Sequence, residues 1–422
     1  MKIVFLVGSY YPNYSAVSKC IHNIVKNLDG KYEIVIISDM NNEKYAKYEK
    51  IDNNHLYRIR TKRMNKRDLV ETNVDKKNNL LEKISFILNN FFLRGIDYLK
   101  ILFSYESYDK KLVNEYSIAL NALDDVYAVI PTCYPYESII ASIDFSEKNT
   151  KTKVFPILFD KFSKSPTLHK FELNKKIKFR RHLNLEKKMV QNSDKIYYTE
   201  AWKDHFDFYF KNEENLIQIG HPLVEKIKTT GFSEKNKSKK NYFIYTGVLD
   251  KKVRSPKKVL DFFEYAIKQN NNNILEIYSI GNCNKYINKA VQKQKDNIFN
   301  NGYVKSEIAY IKQKNSDFLV SIGNSDISLI PSKIYEYLSL GKPIIHFYKD
   351  LNDPIIDILK DYNNSLIINE DDIAVNKIND LYIVFNRFIS KNKYKEVDYN
   401  EVENMFSECT PKFVANLIKK NF

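Results

Sequence analysis

Cysteine is scarce in this chain: Cys20, Cys133, Cys283 and Cys409 stand far apart among 422 residues. Without a C-x-x-C pair they suggest neither a disulfide framework nor a zinc site, and they fit reduced thiols in a cytoplasmic protein. Glycine is also scarce, with ten residues. None of them builds a G-x-G-x-x-G fingerprint, so there is no case for a nicotinamide dinucleotide. No D-x-D occurs, so no obvious pair of carboxylates is at hand to hold Mg²⁺ or Mn²⁺. Apolar runs are short. None reaches the roughly 18 residues of a membrane-crossing helix. The run at 3–7 is too brief for a signal peptide and lacks a small-residue cleavage site. No internal repeat or low-complexity block stands out beyond the polar 270–273.

What is present is ordinary globular material, 43% hydrophobic and 28% charged, enough to bury sizeable cores. A chain this long exceeds one hydrophobic core, so two domains are expected. The net charge of +15 is spread over both halves rather than held in a tail. Locally, 58–67 (RIRTKRMNKR) carries six cations and no acid, and 170–181 carries six cations against Glu172. Such patches favour an anionic partner: a lipid headgroup surface, a phosphorylated substrate or nucleic acid. Nucleic acid fits least, because no recognised binding fold accompanies the charge.

The order of elements is that of a parallel sheet. A strand over 2–8, a helix over 15–28 and a strand over 32–38 open the chain as β-loop-α-β. The loop 8–14 (GSYYPNY) leaves the carboxyl end of the first strand, where such sheets take ligands. An apolar stripe over 80–103 follows a basic run, and is either a helix on a membrane surface or one packed on its own sheet. Strands over 125–130, 153–159, 195–199 and 216–219 continue the first domain, with a basic helix over 170–191 between them. The hydrophilic run 220–241 then interrupts all periodicity, which divides the chain into domains at 1–222 and 223–422. Alternation restarts with strands over 242–246, 274–280, 298–304, 318–322, 344–347 and 365–368, separated by helices.

The most informative stretch is 331–348, PSKIYEYLSLGKPIIHFY. Ser332 is expected to cap a short helix that Gly341 closes. Ile334, Tyr337, Leu338 and Gly341 then share one buried face. Lys333 and Glu336 lie side by side, and Glu336 is one position too late for a capping box. They are either a surface pair worth roughly 0.2–0.5 kcal/mol, or a grip for a diphosphate and a ribose. Other strand ends carry similar potential. Gly247 permits close backbone approach, and Arg254 follows at a place where a guanidinium clamps a phosphate or simply faces solvent. Gly302, Tyr303 and Val304 end a third strand, where an aromatic could hold a base. Asp160, after the strand at 153–159, either orients a hydroxyl or is satisfied by its own turn.

Taken in order, Y-x-G…R-x-P from Tyr245 to Pro256, G-Y-V from Gly302, and I-G-N…P-S-K-I-Y-E-Y-L-S-L-G-K-P-I-I from Ile322 resemble the donor half of GT-B glycosyltransferases, particularly those related to family 4. The likeness covers about 241–350 well, and the first domain is similar only in layout. It implies an α/β chain of two Rossmann-like domains facing each other across a cleft, the first for the acceptor and the second for a nucleotide-sugar. It implies that Arg254 and Lys333 bind the donor diphosphate and Glu336 the ribose. Tyr303 and Val304 would lie beside the nucleobase, and Gly8 and Ser9 would approach the donor from across the cleft. Asn324, Ser328 and Ser332 belong to the same matched donor-binding stretch as Gly247. Enzymes of this type usually need no metal or cofactor, retain anomeric configuration, and extend lipid-linked or polysaccharide acceptors at the inner membrane face. The chain departs from the pattern at Ser328, where the family often has a glutamate contacting the sugar, and at 131–136 (PTCYPY), which has no histidine.

The leading expectation is thus a cytoplasmic, hexosyltransferase-like enzyme of cell-surface glycan synthesis, of the capsule or exopolysaccharide type. It would take a UDP-linked sugar and work against an anionic membrane surface. A non-catalytic partner of another glycosyltransferase and a nucleotide-sugar epimerase are the alternatives.

Overall fold

The computed structural model describes residues 1–12, 14–28, 30–40, 45–60, 95, 108–163, 172–226, 238–327, 330–373 and 377–422. The helix expected over 80–103, most of the basic run 58–67, and Ser328 lie outside these residues. The chain forms two compact units, one of 1–222 with 411–422 and one of 223–410.

In the first unit the run Ile3–Val7 is fully buried and forms the heart of β1 (Lys2–Ser9). Helix α1 (Ala16–Lys26) follows, started by Ser15, whose hydroxyl accepts from the Ser18 amide at 3.1 Å. Then come β2 (Glu33–Asp39), β3 (Tyr48–Ile51), β4 (Asn54–Ile59), α2 (Lys110–Asn121), β5 (Val126–Pro131), α3 (Glu137–Lys148) and β6 (Lys153–Val154). The strand order is β3-β4-β2-β1-β5-β6, parallel except for β3 on its outer edge. The single strand expected over 153–159 is two strands. Pro156 has no amide to give to a ladder, and past it β7 (Ile157–Leu158) pairs with a different sheet. After α4 (Glu172–Gln191) come β8 (Ile196–Tyr198), α5 (Lys203–Tyr209) and β9 (Leu216–Gln218), and this second sheet runs β7-β8-β9.

Asp39, at the end of β2, accepts a 2.8 Å hydrogen bond from Tyr116, and burial pushes its carboxyl up to about 7. The folded chain therefore holds that proton at pH values where the unfolded chain has released it. Its contribution to stability is complete at acid pH and is lost as pH rises from the ordinary carboxylate range to about 7. Asp39→Asn is expected to be more stable than wild type at pH 8 by on the order of 2 kcal/mol. The gain should fade below pH 4, as urea unfolding across that range would record.

The second unit contains β10 (Asn241–Leu249), α6 (Lys257–Gln269), β11 (Asn273–Gly281), α7 (Asn284–Lys293), β12 (Ile298–Asn300), α8 (Ser306–Asn315) and β13 (Phe318–Ile322). It continues with α9 (Lys333–Ser339), β14 (Ile344–Tyr348), α10 (Pro354–Lys360), β15 (Ser365–Asn369), α11 (Ile378–Asn392) and α12 (Tyr399–Met405). Its sheet is wholly parallel in the order β12-β11-β10-β13-β14-β15. That is the doubly wound order in which connections reverse between the first and fourth strands. Phe243, Phe262, Phe263, Phe318, Phe347 and Phe385 fill the core between this sheet and α6 and α11.

The C-terminal residues, grouped with the second domain from the sequence, belong to the first unit. Helix α13 (Pro411–Lys419) buries Val414, Ala415 and Ile418 and packs against α1. The Lys153 ammonium donates to the carbonyls of Asn421 at 3.1 Å and Phe422 at 3.2 Å. All four cysteines are free thiols. Among the described residues no helix is long and apolar enough to cross a membrane.

Candidate functional site

The reversal point of the second sheet lies between the carboxyl ends of β10 and β13, where open sheets of this kind bind ligands. Strand β10 runs on to Leu249, past the expected end at Thr246. Gly247, at φ +147°, adopts a backbone that side chains disfavour, and a Cβ there would stand 3.3 Å from the Tyr245 hydroxyl. The loop beyond is fixed by Asp250, whose carboxylate accepts from the amides of Lys252 at 2.8 Å and Val253 at 3.0 Å. Backbone bonds join Asp250 and Arg254 in both directions. The half-buried Arg254 then donates from Nε to Oδ1 of buried Asn324 at 2.9 Å. Asn324 follows β13, so a residue on each side of the reversal is held by one hydrogen bond. The guanidinium also reaches the Val248 carbonyl at 3.4 Å.

Helix α9 stands beside this point. Its Tyr337 hydroxyl lies 3.2 Å from both the Thr246 amide, whose hydrogen bond it accepts, and the Thr246 hydroxyl, which ties the helix to the end of β10. The expectation of one buried face understates the burial: Ile334, Tyr335, Glu336, Tyr337, Leu338 and Ser339 are all buried. Ser332 does not cap. Its backbone is already helical, at φ −56° and ψ −20°, and its side chain makes no capping bond. Gly341 ends the helix at φ +66°, as the sequence suggests, and a Cβ there would meet the Val397 carbonyl oxygen at 2.1 Å. Lys333 Nζ donates to Glu336 Oε2 at 2.5 Å. Glu336 is only 9% exposed while the Lys333 side chain is 32% exposed. The carboxylate end of the pair is thus shielded from water and the ammonium end is half open. Charge held this far from water interacts more strongly than charge on an open helix face.

The third strand stops earlier than expected, at Asn300 rather than Val304. Gly302 turns the chain at φ +64°, leaving Tyr303 70% exposed and Val304 half-buried. A ring this open is available for stacking but contributes nothing to the core. Val248 and Ile280, register partners on β10 and β11, are 52% and 48% exposed at the same sheet edge.

Gly8, the expected end of the first strand, and Ser9, expected in the loop beyond it, are the last residues of β1. The Gly8 amide donates to the Tyr134 carbonyl at 3.2 Å, and a Cβ would come within 3.1 Å of that oxygen. These two residues end the central strand of the first unit beside β5, the reversal point of that sheet. Asp160 is exposed just beyond β7, and its carbonyl accepts from the Cys133 thiol at 3.2 Å. The structure thus gathers Arg254, Asn324, Gly247, Ser332, Lys333 and Glu336 in the second unit. It leaves Gly8, Ser9 and Asp160 in the first.

Three residues at the second sheet's edge were not singled out from the sequence. His346 and Asp353 are buried, with Nε2 3.3 Å from Oδ2, and His346 Nδ1 lies 3.0 Å from the Ser321 hydroxyl. Asp353 also caps α10, accepting from the Ile355 amide at 2.9 Å; the Asp-Pro start of that helix is the signal that could have found it. Glu370, past β15, is 4% exposed, and burial pushes its carboxyl up to about 7 against the opposing fields of Lys349 and Lys258. Among the described residues, no three His, Cys, Asp or Glu side chains gather as metal ligands.

No protein-family model matches the chain, and no curated protein sequence does. Solved structures match over nearly its whole length. An alpha,alpha-trehalose-phosphate synthase (UDP-forming) from Burkholderia xenovorans, in complex with glucose-6-phosphate, aligns at TM-score 0.61 and 10% identity over 100% of this chain and 99% of that one. The sucrose-phosphate synthase of Thermosynechococcus elongatus aligns at 0.55 and 10% over 99% and 97%. The lipopolysaccharide outer core galactosyltransferase WaaB aligns at 0.53 and 15% over 100% and 99%. At these identities the likeness is one of fold. The chain has the two Rossmann-like α/β domains of the GT-B architecture.

Proposed function

We propose that this protein is a glycosyltransferase that moves a sugar from a UDP-linked donor to a hydroxyl of a lipid-linked or polysaccharide acceptor. The family 4 resemblance of 241–350 further suggests retention of configuration without a metal, and cell-surface glycan synthesis, of the capsule type, at the inner membrane face. The observation that carries this reading is the pairing of Arg254 with Asn324 beside Lys333 and Glu336 at the reversal of a doubly wound sheet. As the bond between the sugar's anomeric carbon and the diphosphate oxygen breaks, negative charge grows on the diphosphate. Arg254 and Lys333 offset it as that carbon bonds to the acceptor oxygen, whose proton passes to the departing diphosphate. Glu336 accepts from the ribose, and Tyr303 and Val304 flank the base. Gly247, Asn324, Ser328 and Ser332 complete the second unit's donor site. UDP as carrier is supported by the UDP-forming synthase among the structural relatives.

Incubating the full chain with nucleotide-sugars and hydroxyl acceptors, read by mass spectrometry, is expected to give nucleoside diphosphate and a glycosylated acceptor. No transfer from any donor would contradict the reading. Ser328 in place of the family's usual glutamate favours a second reading, a non-catalytic partner subunit. That reading predicts no nucleotide diphosphate affinity by calorimetry.

A further inference from the structure

The edge of the second sheet carries another cation that the reaction above does not use. Ile322, Phe347 and Ile368 are register partners across β13, β14 and β15, and all three point into the core on the α6 side. Two residues past each stand Asn324, Lys349 and Glu370, continuing the same alternation beyond the strand ends. Asn324 orients Arg254. The Lys349 ammonium is shielded from water with no hydrogen-bond acceptor, and Glu370 Oε1 is buried without a donor. The charges acting on Lys349 are those of Glu370, Arg254, Asp353 and Cys283. An ammonium removed from water and left without an acceptor is costly, and the guanidinium of Arg254 adds repulsion. One anion between the two cations relieves both costs.

We propose that Lys349 is a phosphate-binding residue that works with Arg254 on one phosphoryl group of the nucleoside diphosphate, with Glu370 as the carboxylate that positions its ammonium. The proposal rests on the nucleotide reading of the site and adds to it the cation that completes the diphosphate contact. Burial lowers the Lys349 pKa, Glu370 opposing it, so a bound anion also favours the charged form of this side chain. A purely structural Lys349–Glu370 pair would behave differently, because its loss would change stability and leave ligand affinity alone.

The test is calorimetry on the full chain with UDP, inorganic pyrophosphate and uridine as probes. Lys349→Met is expected to weaken UDP and pyrophosphate by about 10- to 100-fold, the worth of one charge-assisted hydrogen bond. Uridine affinity should not change. Lys349→Arg should restore most of the loss, and Glu370→Gln should stay within about threefold of wild type because it removes no contact to the phosphate. Pyrophosphate binding by Lys349→Met equal to that of wild type would overturn the assignment, while Arg254-dependent UDP binding would leave the nucleotide site standing. A loss of thermal stability in Lys349→Met with UDP and pyrophosphate affinity unchanged would likewise overturn it, in favour of a structural pair. Absence of UDP and pyrophosphate binding in wild type would overturn the proposal and the nucleotide reading together.

Discussion

Arg254→Ala is expected to lower sugar transfer by about 10²–10³-fold, the usual cost of removing one donor aimed at developing negative charge. The loss should fall mainly on kcat, because the guanidinium faces more charge in the transition state than in the bound donor. The fold should survive. The loop is held by Asp250 and by backbone bonds that do not involve the Arg254 side chain, and the residue is only half-buried. Buried Asn324 loses one partner at Oδ1, a cost of about 1–3 kcal/mol. Arg254→Lys should recover part of the rate, since a point charge replaces charge but not the fork. Steady-state rates with saturating donor, alongside thermal unfolding, separate the two effects. Unchanged turnover in Arg254→Ala would remove this residue from the reaction.

Gly281→Ala is expected to have the largest effect on stability, a loss on the order of 3 kcal/mol or more through strain and collision. Gly281 ends β11 at φ +127°, and a Cβ would lie 1.9 Å from the Leu249 carbonyl oxygen. The obstacle is backbone on the neighbouring strand, so no rotamer relieves it. Relief requires β10 and β11 to part at the edge that leads into the Asp250 loop. Loss of stability should therefore be accompanied by weaker UDP binding, measured by calorimetry well below the unfolding temperature. Gly302→Ala is a useful contrast. Gly302 has φ +64° but open space where a Cβ would stand, so it carries only the backbone strain of about 1 kcal/mol.

Much of this site was legible in the sequence. The 331–348 stretch gave the helix, its closing glycine and the Lys333–Glu336 pair, because each depends on neighbours within one or two turns. The alternation of apolar runs gave the parallel strands of the second unit for the same reason. Chain ends and crossings were harder to read. The apolar residues Val414, Ala415 and Ile418 announce a packed helix but not its partner α1, hundreds of residues away. The partnership of Arg254 with Asn324 is likewise invisible locally, since only the order of strands brings them together. His346 read as part of an apolar strand because its partners Ser321 and Asp353 lie on other elements. Tyr303 and Val304 have side chains that suit a strand, yet the strand ends at Asn300 because Gly302 turns the backbone.

On the proposed function, the edge between β10 and β13 holds a nucleoside diphosphate. The most direct measurement is a crystal structure of the full chain soaked with UDP. The diphosphate is expected between Arg254 and the start of α9, with the ribose at Glu336 and the base against Tyr303. Well-ordered UDP elsewhere, with Arg254 still bonded to Asn324 and the Val248 carbonyl and Lys333 to Glu336, would contradict it.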